Sequence, residues 1–551
     1  MEVGNEVGNV AGPSSDVIVV GAGPVGLVTA LLLARRGWQV TVLERWPEPF
    51  TQPRAAHFDD EVARLLADAG LAELIPGMSE PADVYEWRNA QGETLLRFDW
   101  HGMGPSGWPR ANMFHQPELE RVLSDLAARD DRIRLLRGHE AVQVVESDEQ
   151  VEVLTRDTLG EQHRFTASWV IGCDGANSFV RSQMPTDVTD LGLFFDWLVV
   201  DVVPHEPQEW NAVNVQVCDP VRPTTVLPSG PGRRRWEFMR MPGDSAEQFN
   251  RVDTAWRLLE PWGMTPDTCT LERHAIYTFS ASWADRWRTG RVLLAGDAAH
   301  LMPPFAGQGM CSGIRDAANL AWKLDLVLRG VAAEQLLDTY ELERSAHVQH
   351  AIGMSVELGK VICVTDPEEA AQRDAFMIGR GADPAKILPP LPPPTLTTGV
   401  LRRPTGGDPA PGAGLLTAQG RISYRGRTGR LDEILGPRFV MACTENPEGV
   451  LDANQRAFLE EIDTAVLHLV SPGDPASAAA GAAIDLDGVY VPRMREAGHV
   501  VELVRPDHYL FGAASAMTEL SGLVDDLRLQ MTAKHTAPVA SPPAHATEGR
   551  P

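Results

Sequence analysis

Cysteine is scarce in this chain and is nowhere arranged in close pairs. The 551 residues include six cysteines, and no two of them form a Cys-x-x-Cys pair. This absence argues against a zinc site and against a dithiol redox centre, and it suits the reducing environment of the cytoplasm. We therefore predict no metal site and a cytoplasmic location.

Long apolar runs and positive charge are lacking too. No run reaches the roughly 18 consecutive apolar residues that a membrane-spanning helix needs. The first 15 residues lack the basic start and apolar core of a signal peptide. Lys and Arg number 49 against 75 Asp and Glu, which gives a net charge of −26. This acidic balance argues against binding to nucleic acid or to an anionic membrane.

The length allows several domains of about 150 residues each. Changes in residue pattern along the chain set the expected boundaries. We predict a disordered start over 1–15, a cofactor domain in two parts over 16–185 and 286–387, an inserted and mostly antiparallel sheet over 186–285, a Pro- and Gly-rich linker over 388–414, a small α/β domain over 415–531 and a disordered tail over 532–551.

The clearest motif lies near the N-terminus. A short apolar strand leads into Gly21-Ala22-Gly23-Pro24-Val25-Gly26, a helical run follows, and a second strand ends at Glu44. A dinucleotide-binding fingerprint has this context: glycines for a tight turn and close approach to a pyrophosphate, and an acid about 20 residues on for ribose hydroxyls. The alternative is a glycine turn in an ordinary βαβ unit.

Four further residues lie on loops that follow predicted strands. Arg45 follows the acid, and Arg54 lies on the next loop. An arginine at such a place can hold a pyrophosphate or ribose through its fork of donors, or it can be a solvated loop residue. Asp174-Gly175 stands where another apolar strand emerges, and here the alternative is a plain β-turn.

A third strand carries a motif near residue 300. The strand Val292 to Ala295 runs into Gly296-Asp297, then into Pro303-Pro304 and the loop Gly307-Gln308-Gly309. Such a strand delivers a carboxylate to a cofactor, and the glycines let the backbone approach a flat ring or a phosphate. The helical pattern that follows can turn its N-terminus toward an anion.

The inserted segment contains Arg233-Arg234-Arg235. These arginines could meet a substrate carboxylate. A solvated hairpin end is the simpler interpretation of three adjacent cations. We therefore leave them out of the predicted site.

The order of the three motifs resembles that of the single-component flavin aromatic hydroxylases, over about residues 16 to 385. The resemblance implies a Rossmann-like FAD-binding domain and makes His300 a structural part of the third motif rather than a proton donor. It also implies that Pro303 and Pro304 line the flavin. The FAD-binding residues that it implies are Gly21, Ala22, Gly23, Pro24, Val25, Gly26, Glu44, Arg45, Arg54, Gln116, Asp174, Gly175, Gly296, Asp297, Pro304, Gly307, Gln308 and Gly309.

A closer likeness rests on three segments. Residues 303–324, 197–202 and Val504-Arg505-Pro506-Asp507 are similar to those of the 3-(3-hydroxyphenyl)propionate/3-hydroxycinnamate hydroxylases. Relatives of these enzymes carry a thioredoxin-like C-terminal domain without its cysteine pair, and the missing Cys-x-x-Cys agrees. The resemblance therefore implies a thioredoxin-like fold for 415–531. Cys311 departs from the asparagine of many members.

The resemblance also implies the reaction. With a single dinucleotide fingerprint, NADH or NADPH is expected to visit transiently and reduce FAD, which then uses O2 to hydroxylate an electron-rich phenol. We expect ortho-hydroxylation of 3-(3-hydroxyphenyl)propionate or 3-hydroxycinnamate in aromatic catabolism. A bulky polycyclic phenol is the rival substrate, and a flavin-holding protein without turnover is the rival of another class. The expected partner is a small aromatic substrate, and a homodimer is left open.

Overall fold

The computed structural model describes residues 10–11, 14–49, 54–192, 195–208, 213–388, 395–404, 407–478 and 481–532. Three seven- to nine-stranded sheets and two three-stranded sheets organise these ranges. Within them, no helix combines the length and the apolar character that crossing a membrane requires. The predicted mixed α/β architecture is confirmed.

The first large sheet is built around the strand Ser15–Val20. This strand pairs in parallel with Val40–Glu44 and with Gln162–Gly172, and Gln162–Gly172 also pairs in parallel with Val292–Leu294. Because the carboxyl ends of parallel strands meet at one edge, the three motifs emerge side by side. The other strands of this sheet are Val10–Ala11, Ile133–Arg137, Glu140–Glu146, Val151–Arg156 and Arg288–Thr289.

Helices cover this sheet. The first, Pro24–Arg35, has proline at its first turn, buries every residue from Gly26 to Ala34, and is followed by Gly37 at φ +100°. The longest helix of this domain is Asp338–Ile362, with 25 residues. The other helices of this domain are Asp60–Leu66, which continues as the π-turn Ala67–Leu71, and Ile75–Met78, Gln116–Arg129, Phe179–Ser182 and Gly309–Leu328.

Two small sheets and several short turns complete the cofactor domain. One sheet joins His57–Asp59, Ala111–Phe114 and Ser79–Pro81, and the other joins Val188–Asp190, Ser282–Ala284 and His300–Leu301. The 3-10 turns of the described chain are Glu260–Trp262, Gly296–Ala298, Pro304–Ala306, Glu334–Leu337, Pro475–Ala478 and Met517–Glu519.

The inserted sheet has seven strands, and all its pairs but one are antiparallel. The hairpin Val84–Arg88 and Thr94–Asp99 belongs to it, because Val84–Arg88 pairs in parallel with Val213–Val217. This sheet is therefore not confined to 186–285. In order, its strands are Cys269–Phe279, Phe195–Pro204, Arg234–Met239, Thr224–Pro228, Val213–Val217, Val84–Arg88 and Thr94–Asp99.

The two faces of the inserted sheet differ. Leu198, Val200, Trp236 and Phe238 form a buried core on one face, together with Ala255 of the helix Val252–Leu259. The opposite face turns toward the cofactor domain, because Trp197 packs there against Phe305 of the turn Pro304–Ala306. Short helices Ala246–Phe249, Pro367–Ile378 and Pro384–Ile387 flank this domain.

The C-terminal domain has a seven-stranded mixed sheet. In order its strands are Arg427–Arg430, Arg421–Tyr424, Ala482–Asp485, Ala465–Val470, Val440–Cys443, Val501–Val504 and Leu510–Ala514. Its helices are Leu431–Leu435, Ala453–Glu461, Val491–Glu496 and Leu520–Thr532. Trp322 and Leu326 of the cofactor domain lie in the same apolar core as Leu523 and Leu527, so the two domains share a packed interface.

Two predicted segments differ from expectation where the structure describes them. In the expected disordered start, Val10–Ala11 forms a strand beside Gln162–Gly172. In the expected linker, Leu401 and Ala413 are buried against Tyr509 of the C-terminal domain. The remaining parts of these two predictions, at 1–9, 12–13, 389–394 and 405–406, lie outside the described residues, as does the tail from 533.

Candidate active site

The first glycine loop is shaped by the protein's own backbone. Gly21 has φ +105°, and a Cβ there would overlap the carbonyl oxygen of Cys173. A Cβ at Gly26 would overlap the carbonyl oxygen of Gly21. At Gly23, by contrast, a Cβ would meet nothing within 4 Å, and no side chain caps the helix that starts at Pro24. The open space and the free amides fit a pyrophosphate at this helix terminus.

The predicted acid lies beside this loop. Glu44 accepts a hydrogen bond from the backbone N–H of Ala22 at 2.8 Å and another from Trp46 at 2.9 Å. The carboxylate is thereby held next to the glycines, where a ribose hydroxyl of a dinucleotide would lie. Arg45 is exposed, and its guanidinium lies over the Trp46 ring at 5.1 Å.

The loop that carries Arg54 is fixed by Gln116. The Gln116 side-chain oxygen accepts from the backbone N–H groups of Arg54 at 3.1 Å and Ala55 at 2.7 Å, and its amide donates to Glu120 at 2.6 Å. Burial raises the pKa of Asp297, and the charge of Arg54 partly opposes this increase. Arg54 therefore lies near the third motif.

The second motif uses its acid within the protein. Asp174 accepts from Ser178 Oγ at 2.5 Å and from the N–H of Val180 at 2.9 Å, and burial raises its pKa. Its carboxylate thus accepts an N–H of the short helix Phe179–Ser182, whose N-cap is Ser178. Arg181 donates to the carbonyl of Ala298 at 2.7 Å and so joins this motif to the third one.

The third motif interlocks with the first. A Cβ at Gly296 would lie 3.0 Å from Val25 Cγ2, and one at Gly313 would lie 2.5 Å from the same atom. Gly296 donates its N–H to Asp316 at 3.0 Å. The structure therefore brings all three predicted motifs together at one sheet edge.

His300 is tied into the same buried network. Its Nε2 donates to Asp316 at 2.7 Å, and Arg344 donates to the other oxygen of Asp316 at 2.8 Å. Although burial raises the pKa of Asp316, the charges of His300 and Arg344 outweigh it and lower the pKa to about 2. His300 is fully enclosed, which agrees with a structural place in the motif.

The loop of Gly307, Gln308 and Gly309 is held from behind. Gln308 accepts from Arg315 at 2.9 Å and donates to Asp59 at 3.2 Å, and Arg315 also contacts Asp59 at 2.6 Å. The helix that starts at Gly309 has no side-chain cap, and a Cβ at Gly309 would meet only Met302, at 3.9 Å. These N–H groups therefore stay open to a ligand.

The neighbours of this loop complete its geometry. Gly307 has φ +64°, and a Cβ there would lie 3.0 Å from His57 Nδ1. Pro303 is buried and Pro304 is exposed. Cys311 is buried beneath the loop, with Sγ 3.9 Å from the carbonyl of His57, and burial raises its pKa. Cys311, at a position where many family members have asparagine, therefore makes its contact inside the protein.

The structure corrects the interpretation of the three adjacent arginines. Arg233 is partly exposed and pairs with Glu272 at 3.3 Å, but Arg234 and Arg235 are buried. Arg235 donates to both oxygens of Asp201, at 2.8 and 3.2 Å, and to the carbonyl of Arg54 at 2.6 Å. The prediction of a solvated hairpin end was wrong because this strand is central in the sheet and covered on both faces.

Sequence reasoning also missed the polar residues around Arg235. Asp201 pairs with Arg235 on one neighbouring strand and with Arg273 on the other. Glu237 follows two residues after Arg235 and so shares its face. The sequence shows the alternation of charged and aromatic residues over 234–239, but the charged face of such a strand is normally exposed to solvent.

Two aromatic clusters flank this charged face. In the first, stacked rings lie 5.3 to 6.0 Å apart, and in the second, rings pack edge-on to the turn of the third motif at 5.8 to 6.3 Å. The first cluster consists of His57, Tyr85, Phe98 and Trp100, and the second of Phe195, Trp197, Phe279 and Phe305. An aromatic molecule beside residues 303–309 would therefore meet aromatic walls and a few charged groups.

Two family models match most of this chain. The FAD binding domain family matches residues 14–355, and the HcaD C-terminal domain family matches residues 414–530. A Rhodococcus jostii (strain RHA1) protein named probable NADH-specific resorcinol 4-hydroxylase is 38% identical over 96% of this chain and 97% of its own length.

A Comamonas testosteroni protein named 3-(3-hydroxy-phenyl)propionate/3-hydroxycinnamic acid hydroxylase is 35% identical over 67% of this chain and 62% of its own length. The solved structure of the flavin-dependent monooxygenase PieE, with FAD and substrate, has a TM-score of 0.76 at 20% identity. It covers 95% of this chain and 100% of that chain, and it shows a shared fold.

Proposed function

Because the chain belongs to the FAD binding domain family and is an FAD-dependent aromatic monooxygenase of the class A hydroxylases, we propose that it adds a hydroxyl group ortho to the hydroxyl of a small phenol. The observation that carries this proposal is the charged and aromatic face opposite residues 303–309. It offers flat apolar walls for a ring and buried polar groups for its substituents. The alternative of a flavin-holding protein without turnover finds no support in relatives named as hydroxylases.

The predicted cofactor residues fit FAD in this proposal. The open backbone N–H groups of Gly23, Val25 and Gly26 would hold the pyrophosphate, and Glu44 would hold a ribose. The loop of residues 307–309 would offer its N–H groups to the flavin ring. When bound, FAD takes electrons from NADH and supplies the transfer of one oxygen atom from O2 to the phenol. The name of the resorcinol hydroxylase supports NADH over NADPH.

Three other residues act as supports in the same scheme. Gln116 fixes the Arg54 loop, and Asp174 fixes the turn at Gly175, so that each backbone segment stays beside the cofactor. Asp297, whose pKa is raised by burial, would contact the ribitol and pyrophosphate of FAD. Pro303 and Pro304 form a rigid wall at the flavin.

The favoured substrate is 3-(3-hydroxyphenyl)propionate or 3-hydroxycinnamate. Arg273 supports a substrate with a carboxylate, because it is 3% exposed and two of its guanidinium nitrogens have no hydrogen-bond partner among the described residues. The second candidate is resorcinol, favoured by the relative that aligns over nearly the whole chain.

The C-terminal domain is thioredoxin-like in this proposal. A parallel pair, Val440–Cys443 with Ala465–Val470, continues into the antiparallel strands Val501–Val504 and Leu510–Ala514, and a helix over Leu520–Thr532 closes the domain. This arrangement supports the fold, and the sequence lacks the cysteine pair of a redox-active member.

NADH consumption by the FAD-loaded protein tests the proposal. We expect 3-(3-hydroxyphenyl)propionate to stimulate NADH oxidation, with one oxygen atom added per NADH by mass spectrometry. Resorcinol and a polycyclic phenol are the comparison substrates. Stronger coupled turnover of either one reassigns the substrate, and no stimulation by any phenol contradicts the hydroxylase function.

A further inference from the structure

Glu237 has an unusual place for a carboxyl group. It lies in the central strand Arg234–Met239, with Val199 and Thr225 as its partners on the two neighbouring strands. Its side chain is 12% exposed although it lies inside the protein, and no hydrogen bond to it is formed within the described residues. A buried carboxyl without a hydrogen bond is costly, which singles it out among the acids of this sheet.

The nearest cation cannot satisfy Glu237. Arg235 Nη1 is 3.7 Å from Glu237 Oε1, too far for a hydrogen bond, and its donors are directed at Asp201 and at the carbonyl of Arg54. Burial raises the pKa of Glu237, and the nearby charge of Asp201 raises it further. The positive charges of Arg235 and Arg273 lower this pKa without cancelling the increase. The carboxyl therefore keeps unused acceptor capacity in a largely buried setting.

The surroundings of Glu237 suit an aromatic ring. Met239, two residues on, pairs with Trp197, and Trp197 packs edge-on against Phe305 of the third motif at 5.8 Å. The face that carries Glu237 is therefore the one that meets residues 303–309. Glu237 also lies close enough to raise the pKa of Tyr85, a member of the stacked cluster, beyond what burial does.

We propose that Glu237 accepts a hydrogen bond from the hydroxyl group of the phenol substrate and so selects phenols over their ethers. This role rests on the proposed function, and it makes Glu237 the residue that recognises the hydroxyl group of the substrate ring. A carboxylate acceptor draws the O–H hydrogen toward itself and leaves electron density on the phenol oxygen. The ring carbons beside that oxygen become more electron-rich, as hydroxylation requires.

Ligand binding to the FAD-loaded full-length protein tests this role. The probes are 3-(3-hydroxyphenyl)propionate, resorcinol and 3-(3-methoxyphenyl)propionate, titrated by calorimetry and by the flavin absorbance change. We expect the wild type to bind the phenol about 10- to 100-fold more tightly than its methyl ether, equal to about 1.4 to 2.8 kcal/mol. Equal binding of phenol and ether by the wild type would overturn the proposal without any variant.

The variant Glu237→Met removes the acceptor at similar volume. It should bind the phenol about 10- to 100-fold more weakly and bind the ether unchanged, so that the preference for phenol disappears. Glu247→Gln, an exposed acid of the same domain, is the matched control and should keep that preference. A merely structural role for Glu237 would weaken both ligands alike and leave their ratio intact, which also overturns the proposal.

Different measurements would contradict the hydroxylase function and the role of Glu237. A wild type that oxidises no NADH in response to any phenol removes the proposed function, and the role of Glu237 with it. A wild type that responds to phenols, beside a Glu237→Met variant that keeps the phenol-to-ether ratio, removes only the role of Glu237.

Discussion

Asp316 is the residue whose loss should most disturb the third motif. It is fully buried and accepts three hydrogen bonds, from the N–H of Gly296, from His300 and from Arg344. In Asp316→Asn the amide presents N–H to at least one of these donors and removes the charge that balances Arg344. Breaking a buried ion pair by removing one partner costs about 3 to 5 kcal/mol, so we expect a loss of that size in the free energy of unfolding.

The pKa of Asp316 gives an independent magnitude. Its fall from 3.8 to about 2 corresponds to about 2 kcal/mol at 1.36 kcal/mol per unit. Because the folded-state pKa is depressed, this stabilisation is fully present above about pH 4 and is lost as the pH falls toward 2. The loss of about 3 to 5 kcal/mol expected for Asp316→Asn is larger because it includes the cost of leaving buried donors of Gly296, His300 or Arg344 without an acceptor. The variant should lack this acid-dependent loss.

Urea denaturation followed by circular dichroism measures the difference. The matched control is Asp338→Asn, since Asp338 pairs with Arg288 at 2.5 Å but is 51% exposed, and it should cost less than about 1 kcal/mol. We also expect FAD to bind about tenfold more weakly to Asp316→Asn, because Gly296 loses its anchor. A variant that unfolds within about 1 kcal/mol of the wild type would refute the assignment of Asp316 as the buried anchor.

Gly23→Ala should fold normally yet bind FAD at least about tenfold more weakly, because its methyl group enters space left open for the ligand; Gly353→Ala, equally free of contacts, is the control, and flavin absorbance is the measurement. Arg505→Met should lower the free energy of unfolding by about 3 to 5 kcal/mol, since the buried carboxylates of Glu343 and Asp507 each lose this cation at 2.6 Å and, among the described residues, only Glu343 keeps another, Lys323; urea denaturation at neutral pH checks this. Tyr509→Phe should weaken FAD binding with little effect on folding, as flavin titration would show.

The glycine motifs could be predicted because their causes are local. Gly21 and Gly26 are required by backbone atoms a few residues away or on the next strand, and the strand–loop–helix order that creates this crowding is written in the sequence. The same holds for the edge at which three parallel strands end. Local pattern therefore suffices to predict that these motifs lie together at one sheet edge.

The face proposed to meet the substrate depends on strand pairings that no local pattern contains. Val84–Arg88 joins the inserted sheet through Val213–Val217, far along the chain. Arg235 and Glu237 alternate with Trp236 and Phe238, and this pattern tells which residues share a face but not which face is covered. The cofactor domain covers the charged one, so the usual inference from polarity to solvent led to the wrong conclusion for Arg235.

A chain of side-chain contacts links the C-terminal domain to the loop of residues 307–309, which is proposed to meet the flavin. Tyr509, just beyond Val504–Asp507, donates to Glu61 at 2.7 Å, and Glu61 pairs with Arg315 at 2.6 Å. Arg315 in turn donates to Gln308 at 2.9 Å. Because all three links are charge-assisted or buried, we expect a change at Tyr509 to alter the position of Gln308. The C-terminal domain is thus connected by side-chain contacts to the loop proposed to meet the flavin, in addition to its packed interface.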